Sequence, residues 1–361
     1  MENQRIFNFS AGPSMLPLEV LTRAGAEITN YGGSGMSVME MSHRSKAFDR
    51  IFQDTKAKLR TLLQVPDSHE ILFLQGGAST QFSMVPLNLM GRTGKADYAV
   101  TGNFAKIAAK EAGKYGTVHL AADTSDCNHT RIPGQGELKL DREASYFYYC
   151  ANNTIFGTEW KYVPETGDVP LVCDMSSDIL SQPVDVSKYG IIFAGAQKNM
   201  APAGLTVVLI RKDLAGQEMP ITPLMLSYDT MIKKDSMYNT PPCWCIYMLG
   251  LVLDWVQEQG GLAGMVELKK TRAGMLYDVL DDSRMFHCPV EKEARSDMNV
   301  VFRTGSDELD AAFVKASTEA GFSNLKGHRL VGGMRASIYN AMPVEGVEKL
   351  CDFIRAFERS H

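Results

Sequence analysis

Ile191-Ile-Phe-Ala-Gly-Ala-Gln-Lys198-Asn-Met-Ala-Pro-Ala-Gly-Leu-Thr-Val-Val-Leu-Ile210 is the stretch on which the reading of this chain turns. Gly190 to Ala194 is apolar or small throughout instead of alternating, the pattern of a strand buried on both faces of a sheet. A Pro/Gly loop follows, and Gly204 to Arg211 reads as a second buried strand. Between them stands one lysine. Keeping it charged against apolar β-structure is costly, and the neutral amine is the form that condenses with an aldehyde. A lysine snorkelling out of a strand end leaves the same local sequence, and on this segment alone it is the commoner case.

Working outward towards the N-terminus, the apolar run Pro170 to Cys173 predicts a buried strand that ends at Asp174. Open α/β sheets place ligand-binding groups at such strand ends, and a carboxylate there can hold a pyridinium N–H. Asp-Met-Ser-Ser is also good capping chemistry, which by itself is the preferred reading. Further back, the strand Glu70 to Leu74 runs into Gln75-Gly-Gly-Ala-Ser-Thr-Gln81. Small residues opening a helix expose backbone N–H groups that can cradle a phosphate, although Gly-Gly after a strand is also plain turn chemistry. The order of phosphate turn, acidic strand end and lysine loop is more specific than any one of the three.

The rest of the chain fits the same architecture. A helix over Ser45 to Leu63 repeats Phe48, Ile51, Phe52, Leu59, Leu62 and Leu63, and Ala96 to Thr101, Thr117 to Ala121 and Ser145 to Cys150 read as short strands. Strands alternating with helices predict an α/β fold with a mainly parallel sheet covered by helices. Gly260-Gly261 marks the expected junction, dividing a large domain, 16–260, from a smaller C-terminal α/β domain, 261–361. That unit holds a helix Leu262 to Leu280, a strand Asn299 to Arg303, a helix Glu308 to Ala320, a strand Met334 to Tyr339 and an amphipathic last helix from Val344 to Arg359. Residues 1–15 are expected to pack near it.

Composition sets outer limits. The chain has 361 residues, 45% hydrophobic and 22% charged, which is ordinary for a globular protein of two domains. A net charge of −5 lacks the basic face that nucleic acid needs, so any positive patch is local and suits a small anion. The seven cysteines are scattered and odd in number, which fits reduced thiols in the cytoplasm, and none has zinc-site spacing. Cys243 to Leu253 is too short to span a bilayer and the N-terminus has no secretory pattern, so neither a metal nor a membrane is expected.

Five segments carry a resemblance: Phe7-Asn-Phe-Ser-Ala-Gly-Pro, Ser37-Val-Met-Glu-Met-Ser-His-Arg-Ser-Lys, Gly195-Ala-Gln-Lys-Asn, Tyr238-Asn-Thr-Pro-Pro and Lys326-Gly-His-Arg-Leu-Val-Gly-Gly-Met-Arg-Ala-Ser-Ile-Tyr-Asn-Ala. Across nearly its whole length the chain resembles the phosphoserine aminotransferase family, fold-type-I enzymes that depend on pyridoxal 5'-phosphate. The resemblance implies a seven-stranded type of sheet in the large domain. It implies that Lys198 carries the cofactor as a Schiff base and acts as general base, and that Asp174 pairs with the pyridine nitrogen. Gln197, Ala78 and Ser79 would hold the phosphate, Phe104 would stack on the ring, and Thr154 would contact the ring hydroxyl. Asn239 and Thr240 would reach the phosphate of the neighbouring subunit in a homodimer.

For substrates, the resemblance implies that Arg335 takes the α-carboxylate, that His43, Arg44, His328 and Arg329 take the distal anion, and that Ala11, beside Ser10, lines the same pocket. The reaction implied moves an amino group between L-glutamate and 3-phosphooxypyruvate, by ping-pong kinetics, with the related keto acid of pyridoxine biosynthesis left open. Two positions depart from many members of the family. Phe104 stands where they have Trp, and Ser79 where some have Arg. The alternatives are an alanine–glyoxylate type of aminotransferase, a cysteine desulfurase, or a non-catalytic protein that binds the cofactor.

Overall fold

The computed structural model describes residues 5–361. In chain order its regular elements begin with β1 (Phe7–Asn8), α1 (Leu18–Glu27), α2 (Lys46–Leu62), β2 (His69–Leu74), α3 (Gly77–Leu89), β3 (Lys95–Val100), α4 (Asn103–Ala112) and β4 (Thr117–Asp123). There follow β5 (Phe147–Cys150), the short hairpin β6 (Asn152–Asn153) and β7 (Thr158–Glu159), β8 (Leu171–Asp174), β9 (Ile191–Gly195), β10 (Thr206–Arg211), α5 (Tyr228–Lys233) and α6 (Cys243–Glu258). The last third holds α7 (Gly261–Asp282), β11 (Asn299–Phe302), α8 (Asp307–Glu319), β12 (Phe322–Ser323), β13 (Met334–Ser337) and α9 (Val344–Ser360).

Seven strands form one sheet in the order β2-β10-β9-β8-β5-β3-β4. β9, β8, β5, β3 and β4 are parallel, whereas β10 is antiparallel to both of its neighbours, with Thr206 facing Leu74 on one side and Gly195 on the other. β2 therefore points the same way as β9. The inner strands β5, β8, β9 and β10 are buried and nearly all apolar because both faces are covered, whereas the edge strand β4 is largely exposed. Ile71, Phe73, Ile192, Ala194, Val207 and Leu209 face a core with α2 and α6, and Leu72, Ile191, Phe193, Val208 and Ile210 face a core with α3 and α4. The helices fit because their apolar residues recur at helical spacing. In α2, capped by Ser45 Oγ on the Phe48 N–H at 3.2 Å, the residues Phe48, Ile51, Phe52 and Leu59 are buried. Each contributes roughly 1.5–3 kcal/mol.

A third core gathers Phe9 and Met15 with residues of α7, α8, α9 and the antiparallel pair β11 and β13. The N-terminal strand joins it by parallel pairing of Phe7 with Phe322 and Asn8 with Ser323. Gly260 and Gly261 both lie in the left-handed region, φ 92 and 66, and break the chain between α6 and α7. The cores are not divided at that break. Leu262 and Met265, in the first half of α7, pack with the sheet, while Ala273, Leu276 and Leu280 in its second half pack in the third core. Between them Lys269, 3% exposed, meets Gln182 Oε1 at 2.6 Å and lies 3.7 Å from both Glu159 and Asp297. Arg272 donates to the carbonyls of Asn340 and Met342 at 2.8 and 2.6 Å, and burial brings its guanidinium down to about 10. Among the described residues no helix is long and apolar enough to cross a membrane.

Candidate active site

Five strands that point the same way, β2, β9, β8, β5 and β3, end on one side of the sheet, and the functional side chains follow their last residues. After β2 comes the Gly76–Gly77 turn, which must be glycine at its first position. Gly76 has φ 90, and a Cβ there would stand 2.0 Å from Thr80 Oγ1. The turn opens α3 with the N–H groups of Gly77, Ala78 and Ser79 free of intrahelical acceptors, a site that suits an anion. After β3, Gly102 brings α4 and Phe104 against the hairpin, since a Cβ at Gly102 would lie 2.4 Å from Asn153 Oδ1.

β8 ends on Asp174, which is 4% exposed. Its Oδ1 accepts the Ser176 N–H at 2.9 Å in a tight local turn. The capping hydrogen bond and the ligand-facing position are thus both realised, and no helix starts there. Burial pushes the Asp174 carboxyl above its ordinary value, and the Ser176 hydrogen bonds and the Lys198 charge pull it back in part. β9 ends on Gly195, and Lys198 follows with Nζ 2.9 Å from Thr154 Oγ1, 2.6 Å from Ser177 Oγ and 5.8 Å from the centre of the Phe104 ring. The lysine loop is tied to the N-terminal segment. Ser14 N–H donates to the Gln197 carbonyl at 3.0 Å and its hydroxyl to the carbonyl of Lys198.

These groups surround a cavity of about 290 Å³. Of the residues singled out in the sequence, Ala78, Ser79, Phe104, Thr154, Asp174, Gln197 and Lys198 line it, and so do Ala11, His328 and Arg335. Arg335 is borne on β13 and donates Nη1 to the Thr154 carbonyl at 3.3 Å, while its Nε is buried without a partner. Burial lowers its guanidinium below the ordinary arginine value. His328 is lowered too, first by burial and then by Arg335 and Arg329.

The remaining predicted residues are not brought to this cavity within one chain. Arg329 lines an adjoining groove that shares His328 with it. His43 and Arg44 lie on the turn before α2 and are not among the residues lining the cavity. Asn239 and Thr240 are exposed; Asn239 donates to Gln75 Oε1 at 3.0 Å, and Gln75 donates to the Thr240 carbonyl at 3.3 Å, on the far side of Gly76. Conversely, Ser176, Ser177, Cys150, Ile155 and Gly12 line the cavity without having been singled out as site residues. Ser176 and Ser177 carried a signal, since they follow Asp174 at a strand end. Cys150 had its signal in being the last residue of a strand next to β8; burial and Asp174 push its thiol far up.

The donor set fits pyridoxal 5'-phosphate. A flat ring has the face of Phe104 to stack on, its nitrogen a buried carboxylate, its phosphate the opening turn of α3, and its aldehyde one lysine amine. The unpartnered Arg335 Nε leaves a planar fork for a carboxylate. Among the described residues no group of His, Cys, Asp and Glu could hold a metal ion.

Comparison with known proteins agrees with this chemistry. The model of the family "Aminotransferase class-V" matches residues 6–350. A phosphoserine aminotransferase of Laribacter hongkongensis is 52% identical over 357 residues, covering 99% of each chain. The solved phosphoserine aminotransferase of Bacillus circulans subsp. alkalophilus superposes with a TM-score of 0.97 at 47% identity, covering 99% of each chain. That of Trichomonas vaginalis, solved with PLP bound, gives 0.93 at 42% identity, covering 97% of this chain and 100% of the other.

Proposed function

We propose, from the premise that this chain belongs to the class-V aminotransferase family and within it to the phosphoserine aminotransferases, that it moves the amino group of L-glutamate onto 3-phosphooxypyruvate, giving O-phospho-L-serine and 2-oxoglutarate. The chain is a transaminase that depends on pyridoxal 5'-phosphate. The observation that carries the reading is one cavity in which a lysine amine, a buried carboxylate, a helix N-terminus and an arginine with an unpartnered nitrogen converge.

When bound, the cofactor supplies an aldehyde carbon that condenses with amines and a ring that accepts the electron pair released at Cα. The protein's own groups do the rest. Asp174 holds the ring N–H, which restores charge to a carboxyl that burial otherwise disfavours. The N–H groups of Ala78 and Ser79, with the Gln197 side chain, hold the phosphate, Phe104 covers one ring face, and Thr154 serves the ring hydroxyl. Arg335 takes the α-carboxylate that both substrates share, and so fixes Cα against Lys198. Lys198 Nζ then accepts the proton leaving Cα and returns it one position along. His328 with Arg329, and His43 with Arg44, take the distal group, a carboxylate in one half-reaction and a phosphate in the other.

Several of these groups act across a homodimer in our reading. Asn239 and Thr240 would complete the neighbouring phosphate site, and His43 and Arg44 need a second chain or a loop movement to reach a distal anion. Tyr238, next to Asn239 in the chain, and Met225, which lines the same groove as Asn239, are exposed apolar side chains that support a subunit contact there. The enzyme is assigned to the cytoplasm, in keeping with its seven unpaired thiols. The keto acid of pyridoxine biosynthesis has the same carboxylate and phosphate ends and fits the same contacts. An alanine–glyoxylate reaction would leave the distal cations without a partner.

Visible absorption of the purified protein tests the reading. A yellow band should bleach with glutamate and return with 3-phosphooxypyruvate. A band that bleaches and does not return would discard the phosphoserine assignment, and a protein that stays colourless with added pyridoxal phosphate would discard the cofactor.

A further inference from the structure

The Lys198 side chain ends between two hydroxyls, and one of them has no part in the reaction as described so far. Nζ lies 2.6 Å from Ser177 Oγ and 2.9 Å from Thr154 Oγ1, and the two oxygens are 2.5 Å from each other. They come from different places: Thr154 from the hairpin after β5, Ser177 from the loop after β8. Both are buried, at 4% and 3% exposure. The neighbouring Ser176 hydroxyl is committed elsewhere, accepting the Gly195 N–H at 3.0 Å. Each of the two hydroxyls is the other's partner, so neither is free to turn away from the amine.

Two hydroxyl acceptors take up two N–H donors of the Lys198 amine. The third position on the nitrogen is left for the cavity. An amine displaced from the cofactor by the substrate nitrogen has four rotatable bonds through which to wander. It must nevertheless stay beside Cα, where a misplacement of about 1 Å costs about 10²-fold in rate. Thr154 alone is a divided anchor, since it also has the ring hydroxyl to serve.

We propose that Ser177 is a positioning residue: with Thr154 it forms a berth that holds the Lys198 amine whenever that amine is not bonded to the cofactor, lone pair towards Cα. The inference rests on the transaminase reading. In the step it serves, the C–H bond at Cα breaks and an N–H bond forms at Nζ. The electron pair passes to the bound cofactor. The resulting ammonium keeps two N–H bonds on the hydroxyls and carries the transferred proton on the third, which it then gives up.

Ser177→Ala and Ser177→Thr test this through three readouts: the single-turnover rate with glutamate, the isotope effect with α-deuterated glutamate, and the rate at which cofactor-free protein takes up pyridoxal phosphate. Ser177→Ala should slow the single turnover about 10- to 100-fold with KM changed by less than about twofold. Its isotope effect should exceed that of the wild type, and cofactor uptake should slow because the amine is no longer presented. Ser177→Thr, which keeps the hydroxyl, should recover most of the loss. Wild-type values for Ser177→Ala would overturn the berth, and so would a threonine variant as impaired as the alanine one, since that marks a role in packing. If the alanine protein does not fold, Ser177→Cys, with a poor acceptor of similar size, should be slow on the same assays, and wild-type rates there would equally overturn it. A wild-type protein without glutamate-dependent turnover would instead sink the transaminase reading, leaving cofactor uptake to decide the berth.

Discussion

At the ends of β5, β8 and β9 the groups that would meet the cofactor's reacting ring are tied down: Lys198 to Thr154 and Ser177, Asp174 to the Ser176 N–H, Ser176 to Gly195. Across the cavity the cations are held loosely. Arg335 has one side-chain hydrogen bond and an orphaned Nε, and His328 sits at the start of a loop that turns back through Gly332 and Gly333, at φ 69 and 62. The difference follows from what each half binds. A cofactor that stays needs groups fixed in advance, whereas a site that takes a carboxylate and a phosphate in turn needs hydrogen-bonding capacity left unspent.

Four changes would break or sharpen that contrast. The largest effect belongs to Asp174→Ala, which should lower turnover by about 10³-fold or more, because the ring nitrogen loses its anion. The cofactor-free variant should nonetheless be at least as stable as the wild type. A carboxyl whose folded value is raised costs nothing while both states are protonated. Its cost appears as pH climbs past the unfolded value and levels off above the folded one. Thermal unfolding of both cofactor-free proteins at acid and neutral pH measures this, and an unfolded variant would make Asp174 structural. Next, Arg335→Ala should slow both half-reactions by about 10²-fold, since each substrate brings an α-carboxylate. A loss confined to one half-reaction, followed by stopped-flow absorbance, would refute the assignment.

His328 should give a smaller effect with a definite sign. Burial and the two arginines hold its imidazole below the usual histidine value, so it is neutral at pH 7 and gains a proton as pH falls. KM for 3-phosphooxypyruvate should therefore improve about two- to fivefold more towards pH 6 in the wild type than in His328→Asn. Parallel profiles would remove the histidine from the distal site. Smallest of the four, Phe104→Trp adds an indole N–H and a wider face, and should slow cofactor loss on dialysis a few-fold. Faster loss would mean that Phe104 does not stack on the ring.

The same contrast explains what could be read from the sequence. Strand-end residues were legible because a short apolar run fixes where a strand stops, and the polar residue that follows must face the edge of the sheet. Lys198 and Asp174 stand out in that way, although each alone has a commoner structural use and only the family's motifs favour their roles in the site. Ser177 does not stand out, since a serine in Asp-Met-Ser-Ser has an equally good local use. The antiparallel direction of β10 left no trace either, because a strand covered on both faces is apolar whichever way it runs. The anion-binding loops are the hardest to read. His43, Arg44 and Arg329 carry no hydrophobic pattern that places them, and only their motifs drew attention to them. Helix α7 is legible from its apolar content, but nothing in its sequence shows that its two halves serve different cores.

The N-terminal segment has a consequence in time. It pairs with β12 through Phe7 and Asn8, offers the Ala11 carbonyl to Tyr339 Oη across 328 positions of sequence, and ties down the lysine loop through Ser14. The segment is synthesised more than three hundred residues before its partners at 322 and 339. Contacts so distant in sequence close late, after the intervening chain has found its own shape. The strap that finishes the wall around Lys198 is thus made before the sheet it closes and settles after it, so activity should lag behind the burial of the central sheet during synthesis.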